Sequence, residues 1–202
     1  MTRNVGIYVF DEIEVLDLGG PFEVFSTASR IKARLAPDAA KPFEVFTIAD
    51  ALRPVRARGG LMVQPTFDLT SHPMIDVLIV PGGVVTAELA RPLVIEWIAR
   101  TSAQAELTAS VCTGAFLLGK AGLLRGKTIT THWEDIADFR AMFPGIPVQV
   151  DKRWVDAGEI VTSAGISAGI DMSLHLVARL EGEELAIRTA RQMNYAWNCA
   201  SQ

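Results

Sequence analysis

Cysteine is scarce in this chain, with Cys112 and Cys199 alone among 202 residues. Two thiols build no disulfide framework, and their spacing suits no zinc site. Histidine is almost as rare: His72, His132 and His175 are scattered and form no His-Glu-x-x-His or similar metal pattern. Runs of Lys and Arg are missing, and the formal charge is −4 with a pI near 5.4. Phosphate binding by counterion release needs a basic face, so nucleic acid is not an expected partner. No stretch approaches the ~20 uninterrupted apolar residues of a membrane span. The start, Met1-Thr-Arg-Asn, runs through a short apolar stretch into Asp11-Glu12, whereas an exported leader has a longer apolar region ending in small residues. These absences lead to the expectation of a cytoplasmic protein with no membrane partner and no metal.

What is present is apolar bulk. Half the residues are hydrophobic and 21% are charged, enough for one domain with a sizeable core and too apolar for a disordered chain. Asn4 to Phe10 reads as a buried strand. Gly19-Gly20-Pro21 punctuates, and Phe22 to Leu35 has helical spacing with Pro21 suited to its first turn. Phe43 to Ala49 is a second strand, and Pro54 to Val63, with Gly59-Gly60 inside it, reads as a hairpin laid on the sheet edge. Asp76 to Val80 is the clearest buried strand and stops at Pro81-Gly82-Gly83. Thr86 to Thr101 reads as a helix, Leu107 to Val111 as a strand, and Thr113 to Ala121 as a helix closed by Gly122. Lys127 to Thr131 extends, Glu134 to Met142 is helical, and Val148 to Val155 with Glu159 to Ser163 adds two strands. Helices at Ser167 to Leu180 and Glu183 to Ala196 finish the chain. Strands alternating with helices predict a single α/β domain, residues 1–202, with a mostly parallel sheet flanked by helices on both faces. In such sheets ligands sit at the carboxyl ends of the strands.

Three of those strand ends carry candidate chemistry. In Ser110-Val-Cys112-Thr113-Gly114-Ala115 a buried strand turns into a helix with small residues around the cysteine, the form of a nucleophile elbow. A helix N-terminus favours thiolate; a buried cysteine acting as a small hydrophobe is the competing reading. Gly82 and Gly83 follow the best strand, where backbone amides, joined by that of Thr113, suit an oxyanion hole; a plain tight turn is the alternative. Asp17, between Leu16 and Leu18, is either a helix-capping acid or, beside the sulfur, a carboxyl kept protonated as a proton donor. His132 ends a strand on the expected side of the elbow and is a candidate accessory base. Cys199 lacks such a setting and reads as incidental. His72 reads as a surface loop residue, His175 as a helix-packing or interface residue, and Arg188, Arg191 and Trp197 as an amphipathic surface or dimer contact.

With these residues the chain resembles the ThiJ/PfpI superfamily, of class I glutamine amidotransferase-like, flavodoxin-like fold. The resemblance is carried by Leu16-Asp17-Leu18 with Gly20-Pro21, by Pro81-Gly82-Gly83, and by Ser110-Val-Cys-Thr-Gly114. It continues through Ala121-Gly-Leu-Leu124, Gly126-Lys127, Thr130-Thr-His-Trp133, and Gly165-Ile166 with Ala168-Gly-Ile-Asp171, from about Val5 to about Tyr195. Peptidases of the superfamily place histidine after the nucleophile, where this chain has Thr113. The amidotransferases' His-x-Glu lies farther from the cysteine than His132-Trp133-Glu134 does. The regulators append a helix-turn-helix, for which 202 residues leave no room. Aspartate in the first turn with Val-Cys-Thr at the elbow is instead similar to the superfamily's isonitrile hydratases. That resemblance implies a homodimer acting on a small molecule without cofactor, with Cys112 and Asp17 catalytic and with Gly82, Gly83, Thr113 and Ile166 lining the site. Other readings remain open: glyoxalase-like, deglycase-like or amidase-like enzymes of the same superfamily, or a redox- or ligand-sensing module.

Overall fold

The computed structural model describes residues 1–197, so Cys199 lies outside the described residues. Nine strands and seven α-helices alternate among them. The strands are β1 (Arg3–Tyr8), β2 (Phe43–Ala49), β3 (Val55–Arg56), β4 (Met62–Val63), β5 (Phe67–Asp68), β6 (Val77–Val80), β7 (Leu107–Val111), β8 (Trp154–Asp156) and β9 (Ile160–Ser163). The helices are α1 (Val15–Leu35), α2 (Thr86–Leu89), α3 (Pro92–Ser102), α4 (Gly114–Lys120), α5 (Ile136–Met142), α6 (Ala168–Glu181) and α7 (Glu183–Gln192). Seven strands form one sheet in the order β5-β2-β1-β6-β7-β9-β8, parallel except for β8 against β9. The expected mostly parallel α/β sheet is therefore observed.

Strand order explains where a site forms. The chain leaves β1 for β2 on one side and returns to β6 on the other, so a crevice opens between β1 and β6 at their carboxyl ends. By the general rule that such crossovers are right-handed, connections running in opposite directions from β1 put their helices on opposite faces. α1, α6 and α7 pack together, and α2, α3 and α4 form a second group. The central strands read as continuous apolar runs because helices cover them twice: Val77, Leu78, Ile79 and Val80 are all fully buried.

Several boundaries differ from the sequence expectation for physical reasons. Helix α1 begins at Val15 rather than Phe22 and carries Pro21 inside it. Gly20, read as punctuation, serves close helix approach instead, since a Cβ there would stand 2.9 Å from Ile170 Cγ1 of α6. The helix expected at Thr86 to Thr101 is two, because Pro92 pushes Arg91 to extended backbone, with φ −109° and ψ 95°. The hairpin, β3 with β4, forms its own two-stranded sheet, and the short β5 occupies the edge it was expected to cover. Lys127 to Thr131 makes a single bridge, Ile129 with Val148. The strand expected from Val148 starts only at Trp154, after Asp151 turns to φ 59°. His72 is not a free surface residue: its Nε2 accepts the Trp97 indole N–H at 2.9 Å. His175 packs as expected, stacked on Trp154 with ring centroids 3.9 Å apart.

Candidate active site

The parallel register brings three turns together. Val80 pairs with Ser110 and Val111 with Ser163, so Pro81-Gly82-Gly83 emerges beside Cys112-Thr113. The loop after β1 is tied to the same place by its backbone: Glu14 N–H donates to Gly82 O at 2.9 Å, Val84 N–H to Glu12 O at 3.1 Å, and Ile13 bridges Gly83. These bonds set the start of α1, and Asp17 follows in its first turn. The Asp17 side chain makes no helix cap, which removes the capping alternative. It instead accepts the Gly82 N–H at Oδ2, 3.1 Å away. Gly82 has no room for a side chain, since a Cβ would meet Thr113 Oγ1 at 2.5 Å and Asp17 Oδ2 at 3.0 Å.

Cys112 sits at the elbow with φ 56°, a left-handed conformation that a non-glycine residue adopts at a cost. Its N–H donates to Ser163 O at 3.1 Å, and Thr131 Oγ1 donates to its carbonyl at 2.8 Å, so neighbouring elements hold the turn. Cys112 is 7% exposed and lines a cavity of about 820 Å³. Its sulfur is thus neither sealed in the core nor free in solvent.

The electrostatics are those of a coupled pair. Asp17 is fully buried, and its Oδ1 has no conventional hydrogen-bond partner. Burial pushes its pKa up to about 7, against the Gly82 amide and an interaction with the Cys112 side chain that both hold it down. The Cys112 thiol is pushed up to about 12, first by burial and then by the Asp17 charge; the Thr113 amide facing the sulfur lowers it without prevailing. The helix-terminal effect expected from sequence is present, but desolvation and a neighbouring carboxylate outweigh it. Near neutral pH the pair holds one to two protons, and its members titrate together.

The remaining candidates fall around this pair. Gly83, Thr113, His132 and Ile166 line the cavity with Cys112. The Thr113 hydroxyl accepts the Gly83 N–H at 2.9 Å and donates to Gly83 O at 2.8 Å. With Gly82 N–H on Asp17 and Gly83 N–H on Thr113, both glycine amides are engaged by site side chains, a different task from the oxyanion hole expected of them. His132 Nδ1 stands 3.1 Å from Asp135 Oδ2. Ile166 holds φ 46°, also left-handed and, unlike Cys112, β-branched. Sequence reasoning did not single out Glu14, Arg58, Phe116, Asp135, Asp138 or Met142, which also line the cavity. The acids on the turn and helix after His132 carried a signal in their helical spacing; the others reach the site only through the fold.

The sequence profile of the DJ-1/PfpI family matches residues 3–179. Over 197 residues the chain is 36% identical to isonitrile hydratase of Pseudomonas putida, spanning 97% of this chain and 80% of that one. It is 27% identical over 193 residues to the HTH-type transcriptional regulator GbdR of Pseudomonas aeruginosa, spanning 96% of this chain and 51% of the regulator. A ThiJ/PfpI family protein from Pseudomonas syringae has a crystal structure that matches with a TM-score of 0.85 at 28% identity, over 98% of this chain and 77% of that one.

Proposed function

The chain belongs to the DJ-1/PfpI family, and from that premise we propose that it adds water to an isonitrile, R–NC, giving the N-substituted formamide. Cys112 is the nucleophile and Asp17 moves the proton. The observation that carries the proposal is the thiol on its elbow, opening to a cavity and electrostatically coupled to a fully buried carboxyl. Identity of 36% with an isonitrile hydratase supports the same reading.

The reacting pair begins with one proton, held by the thiol beside an ionised Asp17. As Sγ bonds to the terminal carbon of the isonitrile, its proton passes through the Asp17 carboxyl to that same carbon, giving the thioimidate R–N=CH–S–Cys112. Nothing is oxidised or reduced. Asp17, ionised again, takes a proton from the attacking water and delivers it to nitrogen while oxygen bonds to carbon. The C–S bond then breaks, the hydroxyl proton returns to sulfur through Asp17, and R–NH–CHO departs. An amide or peptide substrate would build an oxyanion needing free amide donors. Those of Gly82 and Gly83 are engaged elsewhere, which favours an isonitrile, whose developing charge on carbon is quenched by a proton. Thr113 and Ile166 bound the reacting carbon, and His132 is an accessory that orients water from the cavity wall.

The proposal includes a cytoplasmic homodimer. A catalytic free thiol suits a reducing compartment, and exposed Leu16 and Phe22 on α1 supply apolar surface for pairing; light scattering tests the assembly.

Supplying cyclohexyl isonitrile and following the formamide by proton NMR tests the chemistry. Turnover by the wild type and none by Cys112→Ala is the expected result; turnover surviving Cys112→Ala discards the mechanism. Likeness to GbdR over 96% of this chain favours a second reading, ligand sensing by the same cavity. An isonitrile bound by calorimetry but never consumed would move the protein to that reading.

A further inference from the structure

The walls of the cavity are uneven in charge. On one side Glu14 pairs with Arg58, Oε2 to Nη1 at 3.3 Å. Among the described residues Arg58 is the one arginine or lysine in the lining. On the other side Glu134, Asp135 and Asp138 line the same space, from the 3₁₀ turn at Trp133–Asp135 and from α5. Asp135 leans on His132 at 3.1 Å, and Glu134 stands 3.9 Å from the same ring nitrogen. Asp138 is exposed and has no arginine or lysine within ion-pair distance among the described residues. The lining therefore holds four carboxylates against one guanidinium, with the part-ionised Asp17 behind Cys112. Between the charges lie Leu89, Phe116, Met142 and Ile166.

We propose that the cavity is a charge filter, admitting compounds with an apolar body and a neutral or cationic end and rejecting those that carry a carboxylate or other anionic group. This rests on the hydratase reading only for the reacting group: the substrates would be neutral or ammonium-bearing alkyl isonitriles rather than isonitriles bearing a carboxylate. An anion approaching Cys112 must pass the exposed Glu134 and Asp138 and then lose water beside a second negative centre. A cation is drawn along the same path. Because Glu134 and Asp138 are exposed, their share of the selection is screened by salt.

The test needs only the sulfur. In a Cys199→Ala background, Cys112 is labelled at low ionic strength with three methanethiosulfonates: the neutral methyl reagent, the cationic trimethylammonium-ethyl reagent and the anionic sulfonatoethyl reagent. The neutral reagent reports access. The cation-to-anion rate ratio, divided by that of a small free thiol, is expected to be about tenfold or more, in the range of electrostatic steering. It should fall several-fold in the Glu134→Gln/Asp138→Asn variant and at high salt. A ratio equal to that of the free thiol, or one unmoved by the double substitution, overturns the filter. Turnover of cyclohexyl, ammonium-bearing and carboxylate-bearing isonitriles is measured alongside. If no isonitrile is consumed while the labelling ratio holds, the hydratase reading fails and the filter stands. If the neutral isonitrile is consumed and the ratio is flat, the reverse follows.

Discussion

Glu88 and Asp17 are both acids withdrawn from water, at 4% and 0% exposure, and the fold surrounds them in opposite ways. Glu88 accepts the Tyr8 hydroxyl and lies 3.2 Å from Arg91, which also reaches Asp50 at 2.5 Å. Asp171, at 3% exposure, is treated likewise, with Arg153 at 2.5 Å and the Tyr195 hydroxyl at 3.0 Å. Asp17 receives one amide, no cation, and keeps an orphan oxygen; the carboxylate of Glu14 raises its pKa further. Glu88 and Asp171 are each given a guanidinium and a hydroxyl. A carboxyl meant to gain and lose a proton is left under-solvated, where its two states lie close in free energy.

Exchanging the acids for their amides is the sharpest way to break this comparison. Asp17→Asn removes the proton carrier and should lower kcat/KM by roughly 10²- to 10⁴-fold, measured with cyclohexyl isonitrile. Glu88→Gln leaves the reacting pair intact and should act on stability instead. It removes the charge and replaces one of the two acceptor oxygens shared by the Tyr8 hydroxyl and Arg91, at a cost of about 1–3 kcal/mol in urea unfolding. If Glu88→Gln proved as damaging to kcat/KM as Asp17→Asn, with its fold intact, the contrast would have no functional meaning.

Stability against pH sharpens it further. Asp17 is raised from 3.8 to about 7 in the folded state, so between those values the native chain holds a proton that the unfolded chain has lost. Its contribution is therefore fully present below about pH 4 and lost as pH rises through about 7. Asp17→Asn has no such term. Relative to the wild type it should gain stability from pH 4 to 8, by a few kcal/mol at most, and then level off. A constant difference across that range would mean that the carboxyl is not held near neutrality.

The rate profile follows from the proton count. The doubly protonated pair has no base to accept the thiol proton, so kcat/KM should rise by about tenfold per unit below an apparent pKa near 7 and flatten above it. A thiolate activated by the helix terminus alone would instead leave the profile flat there.

Much of this site was legible because its parts are local. Cys112 among small residues after a buried strand, Gly82 and Gly83 after another, and Asp17 between leucines each announce a strand-end turn. What was not legible is what passes between turns. The thiol pKa moves up first because the fold buries the sulfur and then because the first turn of α1 delivers a carboxylate beside it, and no reading of Val111-Cys112-Thr113 contains either. Gly20 read as punctuation ahead of the first helix because its reason for being glycine is Ile170, on α6. The acids Glu134, Asp135 and Asp138 show helical spacing, yet only the fold turns that face toward Cys112. The glycine amides read as free donors for the same reason: their acceptors, Asp17 and Thr113, come from other strand ends.

The engaged amides give the smallest predicted effect. Thr113 Oγ1 satisfies both the N–H and the carbonyl of Gly83. Removing the hydroxyl leaves two part-buried backbone groups without partners and loosens the turn that also presents Gly82 to Asp17. Thr113→Val should thus cost about 1–2 kcal/mol of stability and lower kcat by about tenfold or less, since the reacting atoms remain. Thr113→Ser, which keeps the oxygen, should recover most of both. If Gly83 served instead as a free oxyanion donor, Thr113→Val would release its amide and leave kcat unchanged or higher, and measuring kcat for the two variants separates these outcomes.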